Sequence, residues 1–257
     1  MRRISGDRGF YDGLQLMMAA RTQRILLWWG LAFMVVYGLV WWRLFHMMPP
    51  PTAKWSANEI ARFYVEHSTD IKLGAVICGW TSGFMVPIAV VVAVQIARHE
   101  KGAPAWAALA FAGGTLMSIP LVLPPIFWGA AAFTPTRAPE VTSIMHELAM
   151  LTFVTTDQYY IFMWVAVAFV ALIPNTVVHT PFPRWFGYYT AWTALMFEPG
   201  AIAFLTRSGP FAWNGLLAFW SPVITFFVWM LVMAVLLFRA IAQQDDRRTA
   251  TAVLSGG

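Results

Sequence analysis

The sequence is poor in charge. Only 11% of its 257 residues are Asp, Glu, Lys or Arg, while 59% are hydrophobic; an ordinary soluble domain carries about 25% charged residues. A deficit of that size excludes a water-soluble globular protein and points to the bilayer as the solvent. Cysteine is nearly absent: Cys78 stands alone, which excludes an internal disulfide and any multi-cysteine metal site. No histidine falls inside a long apolar run, so a pair of axial haem ligands within the membrane has no residues to supply it. The phosphate-binding glycine loop, the dinucleotide fingerprint and the G-x-S-x-G elbow are all missing. His146-Glu147 does not begin a metalloprotease motif, because Met150 stands where the second histidine belongs.

What is present is a set of apolar runs in a chain of mean hydropathy +0.62. Six are long enough to cross a hydrocarbon core of about 30 Å: Ile25–Phe45, Leu73–Ala97, Ala105–Ala131, Leu148–Ile173, Phe186–Leu205 and Leu216–Phe238. Strands of a barrel would show alternating segments of about ten residues instead, so the runs predict an all-α, polytopic bundle of six transmembrane helices. Residues 1–24 form an N-terminal segment, 25–241 the membrane domain and 242–257 a C-terminal tail. The N-terminal segment lacks the apolar stretch and cleavage site of a signal peptide, so the first span serves as an uncleaved signal.

Basic residues set the orientation. Arg2, Arg3, Arg8, Arg21, Arg24, Arg98, Lys101, Arg184, Arg239, Arg247 and Arg248 share one side of this arrangement, against Arg43, Lys54, Arg62, Lys72, Arg137 and Arg207 on the other. The positive-inside rule places both termini in the cytoplasm. The same rule accounts for the net charge of +5 without a nucleic-acid partner.

In the first outer loop, Ser56 and Glu59 form an S-x-x-E capping box. Ile60, Phe63, Tyr64 and His67 follow on one helical face. This predicts a short interfacial helix. Trp213 and Trp220 read as interfacial anchors. His46-Met47-Met48 and Met145-His146 place soft donors suited to Cu(I) on the outer side. With 14 methionines in the chain, such neighbours arise by chance, and neither a metal nor a cofactor is assigned.

Candidate chemistry rests on two acids. Asp157 in "TFVTTDQYYIF" and Glu198 in "LMFEPGAIAF" lie deep in their runs, with no Lys or Arg at comparable depth. An ionised carboxylate at the bilayer centre costs on the order of 2.5–3.5 kcal/mol on insertion scales. Such a group must be protonated, hydrogen-bonded in the bundle, or facing water or a cation. Gln158 and Tyr160 are polar neighbours that complete a candidate substrate, proton or cation site. Pro199 frees the Leu195 carbonyl beside Glu198, and Pro87 and Pro120 mark further helix breaks. Three readings stand open: a structural hydrogen bond, proton or cation handling in the binding or transport of a small or hydrophobic compound, and acid–base catalysis on a lipid-like substrate. An accessory subunit of a membrane complex explains the aromatic surface and the absence of motifs equally well, and a homo-oligomer stays open as a partner.

Three segments, "AAFTPTRAPEVTSIMHELAMLTFV", "FPRWFGYYTAWTALMFEPGAIAFL" and "GPFAWNGLLAFWSPVITFFVWMLVMA", resemble a family of bacterial multi-span membrane proteins that has no assigned function. The "GPFAWNG" turn and the "FPRW" entry are the most specific parts. The resemblance implies a bacterial inner-membrane protein and transfers no catalytic residue. The topology is checked by reporter fusions: a periplasm-active enzyme fused after Ala53 or Pro135 is expected to be active, and fused after Lys101 or at the C-terminus to be silent. The reverse pattern would refute the orientation.

Overall fold

The computed structural model describes residues 18–156, 158–174 and 177–255, with side chains described for the same residues except 158 and 247–255. Among them every regular element is helical. In chain order these are α1 (Ala20–Arg43), α2 (Ala57–Glu66), α3 (Ser68–Thr81), α4 (Met85–Ala97), α5 (Ala105–Leu116), α6 (Ile119–Phe133), α7 (Pro139–Thr155), α8 (Gln158–Leu172), α9 (Arg184–Phe197) and α10 (Ser221–Ser255).

Several consecutive helices are two halves of one rod. A single 3₁₀ turn, Ser82–Phe84, separates α3 from α4, and α5 passes into α6 through Met117 and Ser118. Treated as such, five rods are long and apolar enough to cross a bilayer: Ala20–Arg43, Ser68–Ala97, Ala105–Phe133, Pro139–Leu172 and Leu216–Asp246. The protein is therefore an all-helical membrane protein.

The run Phe186–Leu205 behaves differently. α9 stops at Phe197, and Glu198–Leu205 continues as a 3₁₀ helix. Pro199 removes the amide that would hold the next α-helical turn. The segment is tied to the bundle on both sides. Thr180, just before it, meets His99 at 2.9 Å, and Arg207, just after it, pairs with Glu147 at 2.6 Å. α10 continues to Ser255 and so takes in most of the 242–257 tail.

The helix after the first long connection is present, and its start is the capping box. Glu59 N–H donates to Ser56 Oγ, and Ser56 N–H donates to Glu59 Oε2 at 2.7 Å. These bonds, backbone first, lower the Glu59 carboxyl pKa. Ile60 and Tyr64 are buried, so α2 rests on α7 and α6. Trp213 is not an interfacial anchor. It is buried, and its indole N–H donates to the Pro51 carbonyl at 2.9 Å, while Asn214 Oδ1 accepts from Ala53 N–H at 3.3 Å. Together they strap the 206–215 connection to the 47–55 connection.

Small residues set how closely the rods approach. A Cβ on Gly113 would meet Met163 N at 2.6 Å and Phe162 Cβ at 2.7 Å; one on Gly114 would meet Ala89 Cβ at 2.4 Å. α5 thus packs backbone to backbone on α8 and closely on α4, the small-residue mode of membrane helices. Large aromatics fill the wider gaps, with Trp128, Trp164 and Trp229 fully buried. Because the atom facing Gly113 belongs to backbone, Gly113→Ala is expected to cost about 1–3 kcal/mol. Thermal unfolding in detergent should show a lower midpoint, while Gly79→Ala, which meets nothing within 4 Å, should be nearly silent.

Candidate functional site

Where helices break inside a bilayer, their freed carbonyls need partners, because no water is available to supply them. Pro125 has no amide hydrogen, so the Leu121 carbonyl four residues earlier is released. Tyr37, buried in α1, donates its hydroxyl to that carbonyl at 2.6 Å. The bond ties the first rod to the proline pair of α6.

Beside this bond lies a cavity of about 70 Å³. Its wall includes Tyr37 and Trp41 of α1, Phe153 of α7, Tyr160 of α8, Phe197 at the end of α9, and Phe219 and Phe226 beside the start of α10. Apart from those on α1, which runs past unbroken, each comes from an element that ends or begins close by. α7 and α8 part at Thr156, α9 gives way to 3₁₀ helix, and a π-helical turn, Leu216–Trp220, precedes α10. The rim at Gly38, half-buried, and Phe227, 37% exposed, opens between α1 and α10. Exposed Val35 and Leu39 flank it on α1, and exposed Val228 on α10, so its mouth faces the apolar surround. Among the described residues no carboxylate or imidazole lines it, and Tyr37 and Tyr160 supply its hydroxyls.

Of the residues singled out from sequence, Tyr160 is in this wall. It is buried, with Phe197 at 5.3 Å, Trp164 at 5.4 Å and Phe226 at 5.6 Å between ring centroids. Gln158 opens α8. Asp157 lies outside the described residues. Glu198 does not line the cavity: its neighbour Phe197 does, and Glu198 itself is exposed on the outside of the bundle. Its depth is nevertheless defined. α9 packs along α8 and the 3₁₀ segment along α7, so the break at Glu198 stands level with the break after Thr156. Pro87 and Pro120 each sit just past an interruption, the 3₁₀ turn at Ser82–Phe84 and the turn at Met117–Ser118. Pro199 is the second residue of its 3₁₀ segment.

Polar groups gather at the two ends. At one, Tyr64 and His146 share a buried hydrogen bond at 3.0 Å that docks α2 on α7, and burial raises the Tyr64 pKa well above its ordinary value. At the other, Gln95 is fully buried and donates to Gln23 at 2.8 Å, while accepting from Gln244 at 3.1 Å and Arg98 at 2.8 Å. Sequence reading did not find the cavity, because its wall consists of ordinary aromatics. The one available signal was the pairing of Pro125 with a freed Leu121 carbonyl. Comparison with protein-family models, with curated proteins and with solved structures gives no match for the chain.

His99 belongs to the glutamine end. Its Nε2 meets the Thr180 hydroxyl at 2.9 Å, and its Nδ1 is buried with no partner among the described residues. Burial first, and the neighbouring Arg98 charge second, push its pKa from 6.5 down to about 4. The unfolded chain therefore takes up a proton below pH 6.5 that the folded chain refuses until about pH 4. Stability contributed by neutral His99 is complete above this window and is lost as pH falls through it. Thermal melts across that range should fall more steeply for the wild type than for His99→Gln; equal slopes would refute the assignment.

Proposed function

We propose that this integral membrane protein binds a small hydrophobic compound in the cavity beside Tyr37, reached sideways from the bilayer. The observation that carries the reading is the aromatic wall itself, built where α7, α9 and the π-helical turn end and α8 and α10 begin, and opening between α1 and α10. Binding sites in helical bundles are mostly apolar, with a few placed polar groups. Here Tyr37 and Tyr160 would orient the occupant while Tyr37 keeps its backbone partner. One water needs about 10–15 Å³, so the cavity takes a segment of about five non-hydrogen atoms, a ring or a short alkyl stretch. The full arrangement we infer is six crossings, with 184–205 as the fifth, both termini cytoplasmic, in a bacterial inner membrane. The basic-residue distribution and the sequence resemblance support this.

Binding is better supported than transport driven by carboxylates, since Glu198 faces away from the cavity. Its exposure favours a second reading, a subunit of a membrane complex. Trp185, Tyr188, Trp192 and Leu195 form an exposed stripe along α9, and Glu198 continues it at the next helical step. A carboxylate facing lipid at this depth is costly, and a partner helix offering a donor would relieve that cost.

A photoreactive diazirine on an alkyl chain tests both. Adducts on Trp41, Phe153 or Phe219 are expected. Gly38 has open space ahead of it, with only Phe227 Cζ at 3.9 Å, so Gly38→Leu should fill the mouth and lower those adducts about tenfold, or about 1.4 kcal/mol. Labelling confined to exposed rings such as Trp28 and Trp80 would refute the cavity reading. Glu198→Gln should leave cavity labelling intact; loss of a cross-linked complex in that variant would support the partner reading.

A further inference from the structure

At the end of the bundle strapped by Trp213, three metal-ligating side chains converge from two separate stretches of chain. α1 closes when the amides of Leu44 and Phe45 both reach the Val40 carbonyl. His46 then adopts φ 54°, the left-handed conformation that usually falls to glycine after a helix. The reversal stacks the His46 ring on that of His67, with centroids 4.2 Å apart. His67 is the single residue between α2 and α3, and Phe63 packs edge-on against it at 4.9 Å. Asp70 follows three residues later on the first turn of α3, and its Oδ2 lies 3.2 Å from His46 Nε2.

We propose that His46, His67 and Asp70 bind a divalent first-row transition ion, with Zn²⁺ the best fit. Donor atoms from all three lie within 4.8 Å of one another. Ligands at about 2.0–2.1 Å around a tetrahedral Zn²⁺ stand about 3.4 Å apart, close to the existing His46–Asp70 separation, and ring rotation at His67 closes the third edge. An ion pair of His46 with Asp70 accounts for two of the groups but leaves His67 without a role beyond stacking. The donor set also identifies the ion. Met47 is fully buried, and Met48 lines the hydrophobic cavity, so the soft thioethers beside His46 in sequence are turned to other uses. Two imidazoles and a carboxylate remain, which suit Zn²⁺ and its neighbours better than Cu⁺. Side-chain exposures of 36% for His46 and 48% for Asp70 leave the cluster open to solution. Three protein ligands keep a fourth position for water or an incoming group.

The test uses the full chain in detergent, stripped with chelator and titrated with Zn²⁺ by calorimetry and with Co²⁺ by visible absorption. One equivalent should bind, giving the Co²⁺ bands of a low-coordinate nitrogen and oxygen site. His67→Ala and Asp70→Asn should each weaken Zn²⁺ binding by at least about tenfold, and His179→Ala, at the opposite end, should change nothing. Zn²⁺ should raise the unfolding temperature of the wild type and not of the two ligand variants. His67→Gln replaces His67→Ala if the latter does not fold. No stoichiometric binding by the wild type, or undiminished binding in a folded ligand variant, overturns the proposal.

Discussion

The hydrogen bond from Tyr37 to the Leu121 carbonyl shows the constraint under which the whole bundle is built. Inside a bilayer, each backbone group that loses its helical partner must find another within the protein. Proline removes such partners, and this chain has 16. Pro125 releases a carbonyl in the middle of a rod, and a phenol from another rod takes it. A neutral hydrogen bond contributes only about 0.5–1.5 kcal/mol net, but leaving its acceptor buried and unmade costs more. The prolines of α6, the position of α1 and the wall of the cavity are therefore parts of one arrangement.

Close packing and interruption divide the bundle between them. Where Gly113 and Gly114 face α8 and α4, rods touch along their backbones and leave no space. Where helices stop or change pitch, at Thr156, Phe197 and Leu216–Trp220, aromatic rings line the space and fill it incompletely. Most of the fully buried large side chains are aromatic. Rings are too rigid to collapse into an irregular void, and the cavity beside Trp41 and Phe153 is what remains.

Local signals were legible and assembled ones were not. The Ser56–Glu59 box announced α2 because both halves of the motif lie within one turn. The apolar runs announced rods because hydropathy is a property of a single segment. Trp213 was misread because tryptophans favour membrane interfaces in general, whereas this one is claimed by the Pro51 carbonyl, 162 residues away in sequence. Glu198 stood out by its chemistry, yet its side of the helix depended on how α9 rolls against α8, which no single run encodes. His46, His67 and Asp70 were visible as individual residues, but their meeting depends on a left-handed reversal at a histidine, a conformation more common for glycine.

The last helix gives the architecture a mechanical property. α10 borders the cavity with Pro222, Val223 and Phe226 near its start, and further along Gln244 and Asp245 engage Gln95 and Arg24. From Ser221 to Asp245 this is a continuous rod about 36 Å long, at 1.5 Å per residue. A tilt of about five degrees at its head displaces its far end by about 3 Å, roughly the length of one hydrogen bond. The width of an apolar slot and the intactness of a polar clasp on the opposite face are thus two readings of a single angle.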